Sequence, residues 1–321
     1  MKLVIQIPCL NEERTLPAVL AHLPGALPGV DAIQVLVIDD GSADQTARKA
    51  IEGGADKVIR HTRNRGLART FRTGIDAALK MGADVIVNID GDGQYSGSDI
   101  HELIRPILER RADIVIGSRD MRHFSRTKRF LQSLGSFVVR RVSGTSVGDA
   151  ASGFRAFSKE AALRLNIFSE FTYTLESIIQ AGRMGMAIEQ VPVTTNPPTR
   201  SSRLSSGNFS YIIKSLGTII RLFVTYQPLK AFAVGGVVSL VTGTLIGLRF
   251  LYLLFTVSGE GHVQSLILAA ILIILGFQLI VVSLLADLIS ANRKISEAAL
   301  LKIRRLEVES ELSQVEERVD I

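Results

Sequence analysis

Tryptophan is missing from these 321 residues, cysteine occurs once and histidine only five times. The single thiol, Cys9, excludes an internal disulfide framework and suits a reducing compartment. It follows a strand-like run and reads as a small buried hydrophobe rather than a nucleophile. His22, His61, His101, His123 and His262 are too scattered to form a spaced metal set, so they read as ordinary surface histidines. No Gly-x-Gly-x-x-Gly follows the first apolar run, and Gly-x-x-x-x-Gly-Lys-Ser/Thr is absent. Both absences argue against a dinucleotide-binding fold and a P-loop ATPase. Met1-Lys2-Leu3-Val4 is too short an apolar run for a signal peptide. There is no internal repeat and no low-complexity tract.

What is present divides the chain. Mean hydropathy is positive, +0.28, although 21% of the residues are charged, which calls for a soluble part beside an oily one. The net charge of +6 suits an anionic partner, either nucleic acid or an anionic membrane face.

The soluble part is organised around Val85-Ile86-Val87-Asn88-Ile89-Asp90-Gly91-Asp92-Gly93-Gln94. The apolar, mostly β-branched run predicts a buried strand ending in two carboxylates one residue apart. Gly91 and Gly93 let the backbone leave the pleat, so both carboxylates can reach one ligand. A hard divalent cation, Mg²⁺ or Mn²⁺, prefers such a pair together with phosphate oxygens. An ordinary Asp/Gly turn is the competing reading. Further strands are predicted at Leu3 to Pro8, Ile33 to Ile38, Lys57 to Arg60 and Asp113 to Gly117. Helical patterns alternate with them: Leu16, Val19, Leu20 and Leu23; a start at Ser42, which has capping-box spacing to Gln45; Leu67 to Met81; and Ile100 to Arg110. The alternation predicts an α/β fold, a mainly parallel sheet with helices on both faces, and a ligand beyond the carboxyl ends of the strands. Polar residues gather at those ends: Asn11 and Glu12, Asp39 and Asp40, Asn64 and Arg65, Asp90 and Asp92, Ser118 and Arg119. Any one could be a cap or turn former; five strand ends together read as one crevice.

Ile7-Pro8-Cys9-Leu10-Asn11-Glu12-Glu13, Val37-Ile38-Asp39-Asp40-Gly41-Ser42-Ala43-Asp44-Gln45-Thr46, Asn64-Arg65-Gly66 and Asp90-Gly91-Asp92-Gly93-Gln94 resemble family 2 glycosyltransferases. The likeness continues through Gly117-Ser118-Arg119, Asp149-Ala150-Ala151-Ser152-Gly153-Phe154-Arg155 and Val191-Pro192-Val193, and within the family the chain is similar to dolichyl- or polyprenyl-phosphate sugar synthases. It spans about residues 1 to 205. The resemblance implies a GT-A fold and inverting transfer from a UDP- or GDP-linked sugar. It places Pro8, Asn11, Glu12, Asp39 and Asp40 around the nucleoside, and Asp90, Asp92 and Gln94 on the metal and diphosphate. Asp92 is thereby a catalytic candidate. Arg119 is implied beside the acceptor phosphate, with Arg155 a second candidate, since a guanidinium meets phosphate oxygens in a bidentate way. A solvated surface arginine is the competing reading for each. Two segments depart from the family pattern. Tyr173-Thr174-Leu175-Glu176-Ser177 stands where relatives often carry a Glu-Asp base pair, which leaves Glu176 as an acceptor-side or general-base candidate. Thr195 to Leu204 offers Arg200-Ser201-Ser202-Arg203 in place of Arg-x-x-Gly-x-Ser-Lys, and reads either as a loop closing over the diphosphate or as a solvated linker.

Two basic amphipathic stretches, Arg122 to Arg141 and Phe209 to Phe223, read as membrane-surface elements, with core-facing helices as the competing reading. Ala231 to Leu248 and Val263 to Ala286 are uncharged and long enough to cross a bilayer. Lys214, Arg221 and Lys230 precede this hairpin, Arg293, Lys294, Lys302, Arg304 and Arg305 follow it, and the link at 258–262 has no Lys or Arg. The positive-inside rule therefore places both ends in the cytoplasm. Arg249 falls near the outer headgroups, where it can snorkel. After Ser290 the chain is charged and helical; Leu301, Val308 and Val315 fall seven apart, too thin a stripe for a coiled coil, so a solvated helix is expected.

These readings divide the chain into a catalytic domain (1–205), an amphipathic juxtamembrane helix (206–228), a two-helix transmembrane hairpin (229–289) and a cytoplasmic tail (290–321). The expected activity is metal-dependent loading of a sugar onto a membrane polyprenyl phosphate, without a nucleic-acid partner; homo-oligomerisation is left open. A processive polysaccharide synthase would carry Gln-x-x-Arg-Trp, which a chain without tryptophan lacks. A nucleotidyltransferase would want a basic Gly-rich loop where Asn11-Glu12-Glu13 stands. Two rivals stay open on sequence alone: a transferase for a different lipid or polysaccharide acceptor, and a non-catalytic membrane scaffold.

Overall fold

The computed structural model describes residues 1–119, 136–137, 139–168, 173–196, 217, 221, 223–224, 227–257 and 263–319. Arg200, Arg203, the 258–262 link and most of both amphipathic stretches lie outside these residues.

Seven strands form one sheet: β1 (Lys2–Cys9), β2 (Ala32–Asp39), β3 (Lys57–Arg60), β4 (Val85–Asn88), β5 (Ile114–Arg119), β6 (Arg155–Ser158) and β7 (Ile188–Val193). Their order is β3-β2-β1-β4-β6-β5-β7. Every pairing is parallel except those of β6, which runs antiparallel to both β4 and β5. Among the described residues, α1 (Leu16–Ala21), α2 (Thr46–Glu52), α3 (Leu67–Lys80), α4 (Ile100–Leu108), α5 (Lys159–Arg164) and α6 (Thr174–Arg183) lie between the strands.

The two-residue period of β1 distributes these helices. Leu3, Ile5, Ile7 and Cys9 pack with Leu16, Val19 and Leu20 of α1 and Ile100, Leu103, Ile104 and Ile107 of α4. The alternate residue Gln6 faces α3, where a Cβ at Gly74 would collide with its amide. Helices thus cover both faces, and β1 is buried almost throughout.

Local differences from the sequence reading have physical causes. The Ser42 capping box does not form: Ser42 Oγ accepts from Asn11 N at 2.8 Å, and α2 begins only at Thr46. Helix α4 stops at Leu108, and Arg110 follows at φ 56°, a left-handed conformation that ends helices. Pro192 sits in β7, where an edge strand can spare its N–H.

The chain divides into two compact units, one comprising Met1–Ile219 with Leu300–Ile321 and the other Ile220–Ala299. In the second unit, α7 (Pro228–Val257) and the first part of α8 (Val263–Val319) are both long and apolar enough to span a membrane. Small residues bring them together. Gly236 lies against Gly276 and Ile280, Gly243 lies against Ala269 and Ile273, and Ser239 Oγ donates to Leu272 O at 3.0 Å.

From Leu300 onward α8 belongs to the first unit, and there the expected solvated helix is corrected. Val308 is 6% exposed, and Arg304 Nη2 donates to Asp76 Oδ1 of α3 at 3.0 Å. Arg305 pairs with Glu160 of α5, and Lys80 of α3 pairs with Glu311.

Candidate active site

Parallel β1, β2, β3, β4 and β5 deliver their carboxyl-end loops to one edge of the sheet, and cross-loop hydrogen bonds fasten these loops together. Asn11 is held at φ 52° by two bonds to the β2 loop: its N–H donates to Ser42 Oγ and its Oδ1 accepts from Ala43 N, each at 2.8 Å. Glu12 N donates to Thr46 Oγ1 at 2.8 Å. The Thr15 hydroxyl lies 2.8 Å from both Glu12 Oε2 and the Gly91 carbonyl, bridging the β1 loop to the acidic turn after β4. Pro8, paired with Ile38, is buried within the sheet.

The adjacent carboxylates after β2 have separate surroundings. Asp39 Oδ1 accepts from Ser42 N at 2.9 Å, while Oδ2 has Arg60 Nε at 3.2 Å without an aligned hydrogen bond. Asp40 instead receives His61 Nδ1, Arg65 N and Gly66 N, all at 2.8 Å. It therefore braces the Asn64-Arg65-Gly66 turn.

Asp92 is oriented by Gln94, whose backbone N–H donates to Oδ1 at 3.1 Å and whose side-chain amide donates to Oδ2 at 2.7 Å. Asp90 accepts no hydrogen bond among the described residues. Its carboxyl is pushed up to about 7, chiefly by burial and then by the charge of Asp92. A partly buried carboxylate without a donor, beside a second carboxylate, fits a divalent cation. Asp90, Asp92 and the Gln94 amide oxygen could hold it, leaving positions for diphosphate oxygens and water. Among the described residues no third His, Cys, Asp or Glu joins them.

The support beneath this pair was not assigned from the sequence. Asn88 accepts from Gln6 Nε2 at 2.9 Å and donates to Gly153 O at 2.9 Å and the Tyr173 hydroxyl at 2.8 Å. Tyr173 stacks on Phe71 at 3.9 Å between ring centroids. A Cβ at Gly153 would lie 2.8 Å from Asp90 Oδ2, so only glycine lets this loop approach the carboxylate. On the far side of the turn, Asn196 donates its N–H to Gln94 O at 2.8 Å and its side-chain amide to Gly93 O at 3.0 Å. Gly153 lay within a motif but had no assigned role; Asn88 and Asn196 carried no signal beyond their positions.

The arginines separate clearly. Arg119, at the carboxyl end of β5, forms a bidentate pair with Asp149 at 2.8 and 2.9 Å. Burial alone would weaken its hold on the proton, but the Asp149 pair holds its guanidinium above the usual range. Arg155 is fully buried. It donates to Ser152 O, Thr174 O, Ala150 O and Ser177 Oγ at 2.7–2.9 Å. Burial pushes it down to about 10. These bonds face it into the protein and replace the expected phosphate contact with a bracing role. Glu176 is likewise 2% exposed, accepting from Phe168 N at 3.1 and 3.2 Å and from Gln180 Nε2 at 3.1 Å. That places it as a loop brace rather than an open base.

Relatives agree with this architecture. The chain is 31% identical over 217 residues (59% of this chain, 83% of the relative) to the UDP-N-acetylglucosamine–dolichyl-phosphate N-acetylglucosaminyltransferase of Methanococcus voltae. It is 30% identical over 207 residues (60% and 83%) to the undecaprenyl-phosphate mannosyltransferase of Micrococcus luteus. Among solved structures, glucosyl-3-phosphoglycerate synthase of Mycobacterium tuberculosis with Mn²⁺, UDP-glucose and phosphoglyceric acid superposes with a TM-score of 0.56 at 22% identity, covering 68% of this chain and 79% of that one. The fold is GT-A-like. The profile described as glycosyl transferase family 2 matches residues 4–165, and the chain belongs to that family of glycosyltransferases.

Proposed function

We propose that the protein transfers a sugar, with inversion, from a UDP- or GDP-linked donor to a polyprenyl phosphate in the membrane, with its catalytic domain and both termini in the cytoplasm. The carrying observation is Asp90: a partly buried carboxylate that accepts no hydrogen bond among the described residues, beside Asp92 and on the same side of the sheet as the Arg119–Asp149 pair. The names of the two polyprenyl-phosphate relatives support the acceptor class. The two apolar helices supply the membrane association such an acceptor requires.

In this reading Asp39 and the stapled β1 and β2 loops hold the nucleoside, and Asp90, Asp92 and Gln94 hold the cation and diphosphate. The bound cation would stabilise the charge developing on the leaving nucleoside diphosphate. Arg119, kept protonated by Asp149, orients the acceptor phosphate. A phosphate oxygen attacks the anomeric carbon as the bond to the diphosphate oxygen breaks. The nucleoside diphosphate leaves with that electron pair. The acceptor oxygen is already anionic near neutral pH, so no base is needed, consistent with the occupied Glu176 carboxylate. Arg200 and Arg203 remain proposed diphosphate contacts.

The test uses full-length protein in detergent with Mn²⁺, a short polyprenyl phosphate and UDP- or GDP-sugars offered singly. Lipid-dependent release of nucleoside diphosphate is expected with one donor. Lipid-independent release would replace the acceptor assignment with hydrolysis or a different acceptor. Asp92→Asn should abolish transfer while the protein stays folded and membrane-bound; activity near wild type would overturn the metal assignment.

A further inference from the structure

The charged tail carries one residue bonded far more fully than a solvated helix requires. Leu301, Arg304, Val308 and Glu311 are less exposed than their neighbours, and they repeat at i, i+3, i+7 and i+10, one helix face. Arg304 lies on this face, with its side chain 14% exposed. Its Nη1 donates to Leu163 O at 3.2 Å and Leu165 O at 2.9 Å, while Nη2 donates to Asp76 at 3.0 Å. The two carbonyls belong to the C-terminal end of α5, where helix carbonyls otherwise lack partners. With only six residues, α5 gains little from helix cooperativity and depends on such outside bonds.

The segment leaving α5 is held from its other side by α6. Asn166 N donates to Gln180 Oε1 at 2.9 Å, Asn166 O accepts from Gln180 Nε2, and Phe168 N donates to Glu176. Arg155 fastens the same helix to the loop that carries Asp149, the partner of the Arg119 proposed at the acceptor phosphate: it bonds Thr174 O and Ser177 Oγ of α6, and Ala150 O and Ser152 O of the loop. Residues 163–168 are therefore clamped between the tail and a helix that shares its support with the site.

We propose that residues 300–311 act as a strap, with Arg304 a positioning residue for the acceptor side of the transfer. It acts through residues 163–168 and α6 and touches neither substrate. The kinetic part rests on the proposed polyprenyl-phosphate acceptor; the strap itself does not.

The experiment compares full-length wild type, Arg304→Ala, Arg304→Lys and Arg305→Ala in detergent with Mn²⁺, recording donor and acceptor KM, kcat, Tm and amide exchange at Asn166 and Phe168. Arg304→Ala is expected to raise acceptor KM roughly tenfold, leave donor KM within about twofold, and speed exchange at both amides. Arg304→Lys should recover part of the acceptor KM, because an ammonium lacks the guanidinium fork. Arg305→Ala removes an exposed pair with Glu160 and should leave acceptor KM within about twofold. An unchanged acceptor KM, or donor and acceptor terms worsening together with Tm, would overturn the proposal. If Arg304→Ala does not fold, Asp76→Asn removes only the ion pair and should still raise acceptor KM; no rise would overturn it. Should wild type show no lipid-dependent release, the acceptor reading fails by itself. The strap then stands on faster Phe168 exchange in Arg304→Ala and falls if exchange is unchanged.

Discussion

A carboxylate buried beside a second carboxylate is costly to ionise, and in the metal-free protein Asp90 carries this cost. Its folded value of about 7 lies above the ordinary 3.8, so the folded state holds the proton more tightly than the unfolded chain. Stability therefore falls as pH rises from about 4 to about 7, and the full penalty is present above that window. Asp90→Asn should raise the metal-free Tm by about 3 °C or more at pH 8 and leave it nearly unchanged at pH 4, while abolishing Mn²⁺-dependent UDP or GDP binding. In wild type, Mn²⁺ competes with that proton, so calorimetric affinity should increase with pH up to about 7 and then level off. Gly153→Ala probes the same carboxylate from outside. Its new methyl meets Asp90 Oδ2 at 2.8 Å and the Tyr173 hydroxyl at 3.1 Å. With no positive φ at this position, kcat/KM should fall roughly a hundredfold while Tm changes far less.

At the scale of the element, Arg155 shows what a buried brace contributes. Arg155→Met would strand the carbonyls of Ala150 and Ser152 and should cost about 3–5 kcal/mol, read as a Tm drop of roughly 10 °C. Its role was illegible in sequence because an arginine in a motif reads alike whether it faces a phosphate or a ring of carbonyls. The deciding partner, Thr174, lies on a helix nineteen residues further on. The separate surroundings of Asp39 and Asp40 were legible in principle, since strand alternation turns neighbouring side chains to opposite faces. The five strands that end at the crevice were evident from their apolar runs. Arg155–Ser158 was not, having four residues and no hydrophobic period. Neither was β7, whose Pro192 masks a strand until its place at the edge is known. Ser42 misled because its capping spacing to Gln45 is local, whereas its actual partner, Asn11, arrives from another strand.

For the whole molecule, length and lack of charge were enough to find both helices that are long and apolar enough to span a membrane, since a bilayer imposes a length that can be counted. The tail was not legible, because its docking depends on the carbonyls of Leu163 and Leu165, which no side-chain pattern reveals. A glycosylation or alkylation reporter placed within 258–262 should be modified only from outside the cell membrane, and reporters at either terminus only from inside; the reverse would overturn the proposed orientation. The reversal at β6 has a consequence for diversification. Strands β5 and β6 are antiparallel neighbours, with Ile116 opposite Arg155 and Gly117 N donating to Phe154 O at 2.9 Å. The two ends of the intervening chain are thus fixed side by side, and its last residues are fixed as well, Asp149 to Arg119 and Ala150 and Ser152 to Arg155. Under the proposed function, substitutions in this connection, which carries the partner of Arg119, can change the acceptor while the loops after β1 and β2 keep their place.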